Sequence, residues 1–193
     1  MKNINLPALS FLDVETTGLS AAYNDRIVEV AVLRREPAGK LTEFQSLINP
    51  CRLMPSSASA INGITNSMVK NAPRFSEVAP KVLSLIKGSV LVFHNAPFDL
   101  SFLNKEFEYC GSAMTEHLIL DTLQIARKHF DFPSNSLGNL ADYYGINITK
   151  QHRALADAVA TYKVFLRLWE ELMQRGLADF AMISKKKQKP KAK

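Results

Sequence analysis

The sequence is poor in the features that staple a small secreted protein together or anchor a chain in a bilayer. Its two cysteines, Cys51 and Cys110, stand far apart with no ligand-like spacing. That pattern speaks against a disulfide framework or a cysteine-built metal site and fits reduced thiols in a reducing compartment. No apolar run approaches the roughly eighteen residues that a membrane span requires, so no membrane partner is expected. The N-terminal stretch MKNINLPALSFLDVE has no charged start, apolar segment and small-residue cleavage site in the order of a secretory signal, and a cytoplasmic location is the expectation. What is present is the composition of one globular domain: 193 residues, 47% hydrophobic and 22% charged, enough to bury a core without staples. The formal charge of +6 is partly concentrated in the closing KKKQKPKAK. Residues 1–180 are therefore expected to form the domain, and 181–193 a basic tail that is solvated or in loose contact with phosphates.

Apolar alternation predicts strands near 9–14, 26–35 and 41–49, with the short EPAGK link between the last two reading as a hairpin turn. After a polar stretch from Pro55 to Pro73, a helix is predicted over 76–87 and stopped by Gly88. SVLVFH, residues 89–94, is a continuous apolar run of the kind found in a strand buried on both faces. Asn95 is expected to cap a helix running to about Cys110. Two short, helical elements are predicted over 119–128 and 136–144. A long helix over 154–175 carries Leu155, Val159, Tyr162, Leu166 and Trp169 at three-to-four spacing. Hairpin strands followed by alternating helices and strands imply an α/β mixed sheet with helices packed on it.

Within the first strand, FLDVETTGL places Asp13 and Glu15 one residue apart. Residues i and i+2 of a strand face the same side. At about 5 Å and an effective dielectric of about 20, two such charges repel by about 3 kcal/mol. A protonated carboxyl, a basic partner or a hard divalent cation would offset that cost. One acid turned to solvent at the strand end is the plainer alternative. TTGL follows with a glycine and polar backbone, where a strand end lets amides approach a ligand. Asp99 falls in the first turn of the helix after SVLVFH, where it either favours the helix dipole or joins a site at the strand ends. Asp157 sits amid LADAVATY on a packed face, where a charge is rarely left unpaired. His152, five residues earlier and about 140° around an ideal helix, is placed in the loop before that helix. His94, His117 and His129 read as structural or solvent-facing, and Glu29, flanked by Val28 and Val30, as one half of an ion pair.

With DVETTGL, HNAPFD (94–99) and HRALADA (152–158) in that order, the chain resembles the DnaQ-like DEDDh 3′→5′ exonucleases. That family includes the proofreading epsilon subunit of bacterial DNA polymerase III, other polymerase exonuclease domains and RNA-trimming enzymes. The resemblance runs over roughly residues 7–173 and takes in RIVEVAVL, INGIT, LDTLQIAR and SLGNLADYYGI. It implies an RNase H-like fold with a five-stranded mixed sheet. It further implies that Asp13, Glu15, Asp99 and Asp157 hold two Mg²⁺ or Mn²⁺ ions, with His152 as general base. Thr16, Thr17, Gly18, Leu19, Ile64, Asn95 and Phe98 are the positions implied to hold a 3′-terminal nucleotide, with ordinary core packing as the alternative for Leu19 and Ile64. All-oxygen ligands suit Mg²⁺ or Mn²⁺ better than zinc.

Asn62 departs from the pattern, since many relatives carry histidine there. Gln174, Leu177 and Phe180 form a QxxLxxF spacing similar to sliding-clamp-binding peptides, with an ordinary frayed helix end as the alternative. The implied partners are nucleic-acid 3′ ends, DNA favoured over RNA, and a DNA polymerase or sliding clamp. The rival readings are an RNA-trimming or oligoribonucleotide-degrading member of the family, and a non-catalytic nucleic-acid-binding polymerase-accessory domain.

Overall fold

The computed structural model describes residues 6–114, 116–148 and 152–180; the basic tail anticipated at 181–193 lies outside them. Five strands, β1 (Leu9–Thr16), β2 (Ile27–Arg35), β3 (Leu41–Leu47), β4 (Val90–Phe93) and β5 (Ile119–Asp121), form one sheet in the order β3-β2-β1-β4-β5. β1, β2 and β3 pair antiparallel, while β4 and β5 run parallel to β1. The helices are α1 (Ser56–Asn62), α2 (Asn66–Val69), α3 (Phe75–Ile86), α4 (Ala96–Tyr109), α5 (Thr122–His129), α6 (Leu137–Tyr143) and α7 (Ala154–Gln174). This is the five-stranded mixed sheet of the RNase H-like fold.

Pleating decides what each strand gives to each face. On β1, Leu12 and Val14 enter the cluster built with Val78 and Val82 of α3 and Phe102 and Leu103 of α4. Leu9 and Phe11 enter the opposite cluster, with Ala154, Ala158, Phe165 and Trp169 of α7. The Phe11 ring packs 5.2 Å from Tyr162 and 5.7 Å from Phe165, centroid to centroid, distances at which aromatic pairs attract. Odd-numbered residues of β1 thus face α7, and Asp13 and Glu15 inherit that direction. On β2 the same parity sends Val30 and Val32 towards α3 and Ala31 and Leu33 towards α7. Glu29 therefore also faces α7. Ala154 and Ala158, both fully buried, let the helix lie close to the sheet at the end where the acids stand.

The sheet also holds a mismatch in length. β1 pairs with β4 only from Leu9↔Val90 to Phe11↔Val92, yet continues to Thr16. Its last residues lack a parallel neighbour, and a crevice opens on that side. Two expectations are corrected here. Residues 119–121 form β5, where a helix was expected over 119–128; the helix begins only at Thr122. Three apolar-to-acidic residues are too few to show a period of two, and they merge with the helical pattern after them. Asn95 does not cap α4 with its side chain: it takes a left-handed φ of 76°, and the cap comes from elsewhere.

Candidate active site

The crevice at the end of β1 widens into a cleft of ≈ 380 Å³ whose lining includes Asp13, Glu15, Asp99, Asp157 and His152. Asp13, Glu15 and Asp157 can each present a ligand atom within 4.8 Å of the other two. Strand parity brings the first two together, and α7 crossing that face brings the third. Asp99 arrives from the opposite layer. Its carboxylate accepts the Val14 amide at 3.2 Å, a donor left over because β4 has already ended. The side chain thereby replaces a missing ladder partner and is tied beside Asp13.

Both helices that deliver acids are fastened by a further buried acid. Asp121, at the end of β5, accepts the amides of Asn95 and Ala96 at the start of α4 and those of Leu123 and Gln124 in α5. One carboxylate therefore caps two helices and sets where Asp99 stands. At α7 the amide of Ala154 donates to Glu29 at 3.0 Å, and Arg153 grips the same carboxylate through Nε and Nη2 at 3.0 and 2.6 Å. The expected ion pair of Glu29 is thus with Arg153. Next to it His152 has a φ of 61°, and its amide donates to Asp157 at 2.9 Å.

Crowding four acids in a half-enclosed cleft pushes their pKa values up. Burial and then the charges of Asp99, Asp157 and Glu15 hold the Asp13 carboxyl well above the usual carboxylate range. Burial, followed by the Asp157 and Glu29 charges, pushes Glu15 up to about 7, against the pull of a hydrogen bond from Asn62 and the Arg153 charge. Asp99 and Asp157 are also raised, in each case first by burial. Among the described residues no ion pair closes on any of the four acids. A set of oxygen donors that repel one another and close no ion pair among the described residues suits a hard divalent cation.

The residues expected to hold a nucleotide divide. Thr16, Gly18, Leu19 and Phe98 line the cleft. Leu19 is 84% exposed, and Phe98 packs on Phe102 at 5.1 Å. Gly18 leaves room for the Asp25 carboxylate, which a Cβ at that position would displace. Thr17 is used otherwise: its amide donates to Arg26 O and its hydroxyl to Asp25, so it shapes the turn. Ile64 is corrected. It is fully buried with Val28, Met54 and Val69, and the apolar side chain at the cleft is Ile61, 60% exposed. Ala58 and Ile61, three apart on α1, share the face turned to the cleft, whereas Ile64 lies past the helix end. Asn95 is exposed and is not among the cleft-lining residues.

Asn62 and His94 also line the cleft and were unassigned in the sequence. Asn62 spans the floor, donating to Thr16 O at 3.3 Å and accepting the Ile64 amide at 3.0 Å. His94, read above as structural or solvent-facing, lines the cleft with Nδ1 2.8 Å from the Thr122 hydroxyl. Burial lowers its pKa. Its place directly after a buried strand was the available signal. At the far end of α7, the Phe180 ring packs 4.3 Å from Trp169. The aromatic side chain that a clamp-binding peptide would present is here part of the domain's own packing.

An RNase H-like sheet with a set of carboxylates converging at its central strand end is an arrangement that could hold a hard divalent cation. The Exonuclease family model, RNase_T, matches residues 10–165, and the chain belongs to that family. It is 36% identical over 173 residues to the PolC-type DNA polymerase III of Caldanaerobacter subterraneus, covering 89% of this chain and 12% of that protein. It is 39% identical over 187 residues to a DNA polymerase III subunit epsilon-like protein of Rhodobacter capsulatus, covering 92% of this chain and 26% of the relative. The DNA polymerase III subunit epsilon of Treponema pallidum is 38% identical over 161 residues, covering 82% of this chain and 74% of that protein. The chain thus spans only a minor part of the first two. Among solved structures, exonuclease X in complex with 5′ overhanging duplex DNA matches with TM-score 0.69 and 25% identity over 89% of this chain and 98% of that one. Exonuclease I of E. coli with a dT13 oligonucleotide matches with TM-score 0.77 at 20% identity over 91% and 43%, a likeness of fold. Among the described residues no helix is long and apolar enough to cross a membrane.

Proposed function

We propose that this protein is a 3′→5′ exonuclease that removes nucleotides from DNA 3′ ends as nucleoside 5′-monophosphates, using two Mg²⁺ or Mn²⁺ ions. The observation that carries the reading is the convergence of Asp13, Glu15, Asp99, Asp157 and His152 on one cleft that is flanked by exposed apolar Leu19 and Ile61. Asp13, Glu15 and Asp157 are the residues that would hold one ion, with Asp13 and Asp99 holding the second. Two such ions supply an activated water and neutralise charge on the leaving 3′-oxygen. His152, exposed at the cleft and tethered through its amide to Asp157, accepts the proton of the attacking water. Leu19, Ile61 and Phe98 offer apolar surface to the terminal bases, and Gly18 lines the cleft beside them. Asn62 holds the Thr16 carbonyl and Glu15 in fixed relation beneath. Similarity to polymerase III exonuclease regions and to a DNA-bound exonuclease X supports DNA as substrate and a DNA polymerase as partner.

The test is a side-by-side digestion of single-stranded DNA, duplex DNA and RNA, each labelled at the 5′ end, with Mg²⁺, Mn²⁺ or chelator. The expected result is a ladder shortening from the 3′ end of DNA, with 5′-monophosphates released and no reaction in chelator. Faster loss of RNA would replace the substrate assignment. No digestion of any substrate, with binding retained, would leave a non-catalytic nucleic-acid-binding module.

A further inference from the structure

Glu29 is fully buried near the start of β2, directly across from Glu15 in the β1–β2 register. Its carboxylate oxygens accept from Gln45 Nε2 at 2.7 Å, Arg153 Nη2 at 2.6 Å, Arg153 Nε at 3.0 Å and the Ala154 amide at 3.0 Å. Those four donors fill the acceptor capacity of a carboxylate. Its same-face neighbours Ala31 and Leu33 pack apolar against α7. Attaching the helix to the sheet does not by itself call for an ion pair, because replacing a buried pair as a whole by well-packed apolar residues is often neutral or stabilising. The forked guanidinium–carboxylate contact adds direction. It acts at a telling place, since Arg153 follows His152 and precedes the turn that carries Asp157. His152 stands in a left-handed conformation that is uncommon outside glycine, asparagine, aspartate and histidine. Two carboxylates hold that short segment: Asp157 from within the helix and Glu29 from the sheet.

We infer that Glu29 is a positioning residue for the proposed reaction, fixing His152 and Asp157 against Asp13 and Glu15 through Arg153 and the Ala154 amide. The inference rests on the exonuclease reading above. It also links the two halves of the site directly, since the strand residue opposite Glu15 aims the helix bearing Asp157.

The test uses Arg153→Ala, Arg153→Lys and the double variant Glu29→Gln/Arg153→Ala, which removes the buried charge together with its partner. Melting temperature, Mn²⁺ binding by electron paramagnetic resonance, exchange of the His152 amide in metal-free protein, and kcat and KM on single-stranded DNA are measured for each. In Arg153→Ala and the double variant, kcat and Mn²⁺ affinity are expected to fall about 10- to 100-fold. KM stays within about twofold and the His152 amide exchanges faster. Arg153→Lys, which keeps the charge without the fork, recovers part of each loss. A folded double variant with wild-type kcat, Mn²⁺ affinity and amide exchange would overturn the inference. So would losses that follow melting temperature alone, with the double variant regaining stability and every readout together. If the wild type digests no substrate, the exonuclease reading fails, and Mn²⁺ affinity and amide exchange still decide whether Glu29 positions Asp157.

Discussion

The strand-borne acids Asp13 and Glu15 and the helix-borne acids Asp99 and Asp157 reach the same cleft by different means. β1 is hydrogen-bonded on both sides through Phe11, and its pleat alone puts both carboxylates on one face. A helix has rotation and tilt to fix before any one of its side chains is aimed. Each of the two helices therefore starts on a buried acid from the sheet, α4 on Asp121 and α7 on Glu29. The contrast teaches that two strand-borne acids are aligned by regular pairing alone, while each helix-borne acid comes with a second, buried acid that fastens its helix.

The largest expected effect treats the two pairs alike. Asp13→Ala and Asp157→Ala should each reduce metal-dependent hydrolysis to background while circular dichroism shows the fold intact; full activity in either would refute the ligand assignment. His152→Ala comes next, lowering kcat by about 10²- to 10⁴-fold. A pH–rate profile superimposable on the wild type would remove His152 as the base.

Asp121→Ala should separate the pairs. It orphans four backbone amides and is expected to cost about 3 kcal/mol, or about 6 to 12 °C in melting temperature for a domain of this size. Asp13→Ala carries no such cost, since it removes repulsion. An Asp121→Ala protein that melts with the wild type would show that α4 needs no anchor.

The shared charge gives the next test. A carboxyl whose pKa is raised by folding supports the fold while protonated; that support is complete below its ordinary value and lost as pH rises through its folded value. For Glu15 the window runs from 4.5 to about 7, and the raised Asp13, Asp99 and Asp157 act in the same sense. Chelated protein should melt lower at pH 8 than at pH 5. Mg²⁺ or Mn²⁺ at about a hundred times its Kd should restore about 5 to 10 °C at pH 8 and little at pH 5. An equal metal effect at both pH values in calorimetry would break the link between the four acids and the cation. The smallest effect concerns the rim: Leu19→Ala should raise KM for DNA about fivefold, a loss of about 1 kcal/mol. Ile64→Ala should instead destabilise by about 2 to 5 kcal/mol with KM unchanged.

The same contrast explains what the sequence made legible. Asp13 and Glu15 could be paired from spacing alone, because a period of two needs no tertiary information. Asp99 could be placed on a helix with a strand-end site as one of two readings, and Asp157 on a packed helix face, yet family resemblance alone joined both to Asp13 and Glu15, since the loops between fix no distance. The anchors were least visible. Glu29 reads as an acid wanting a partner, but Arg153 lies 124 residues away. Asp121 ends a strand of three residues that merges into the helix after it. Ile64 and Ile61 differ only in which side of the α1 terminus they fall, and polarity patterns do not resolve one turn.

The Val14 amide, bonded to Asp99 where β4 has run out, can serve as a clock. Its proton is shielded only while the acid from α4 remains docked on β1. Its deuterium uptake would therefore time the undocking of the helix that bears Asp99 from the strand that bears Asp13 and Glu15, separately from global unfolding, and Asp99→Ala would set the clock's unprotected limit.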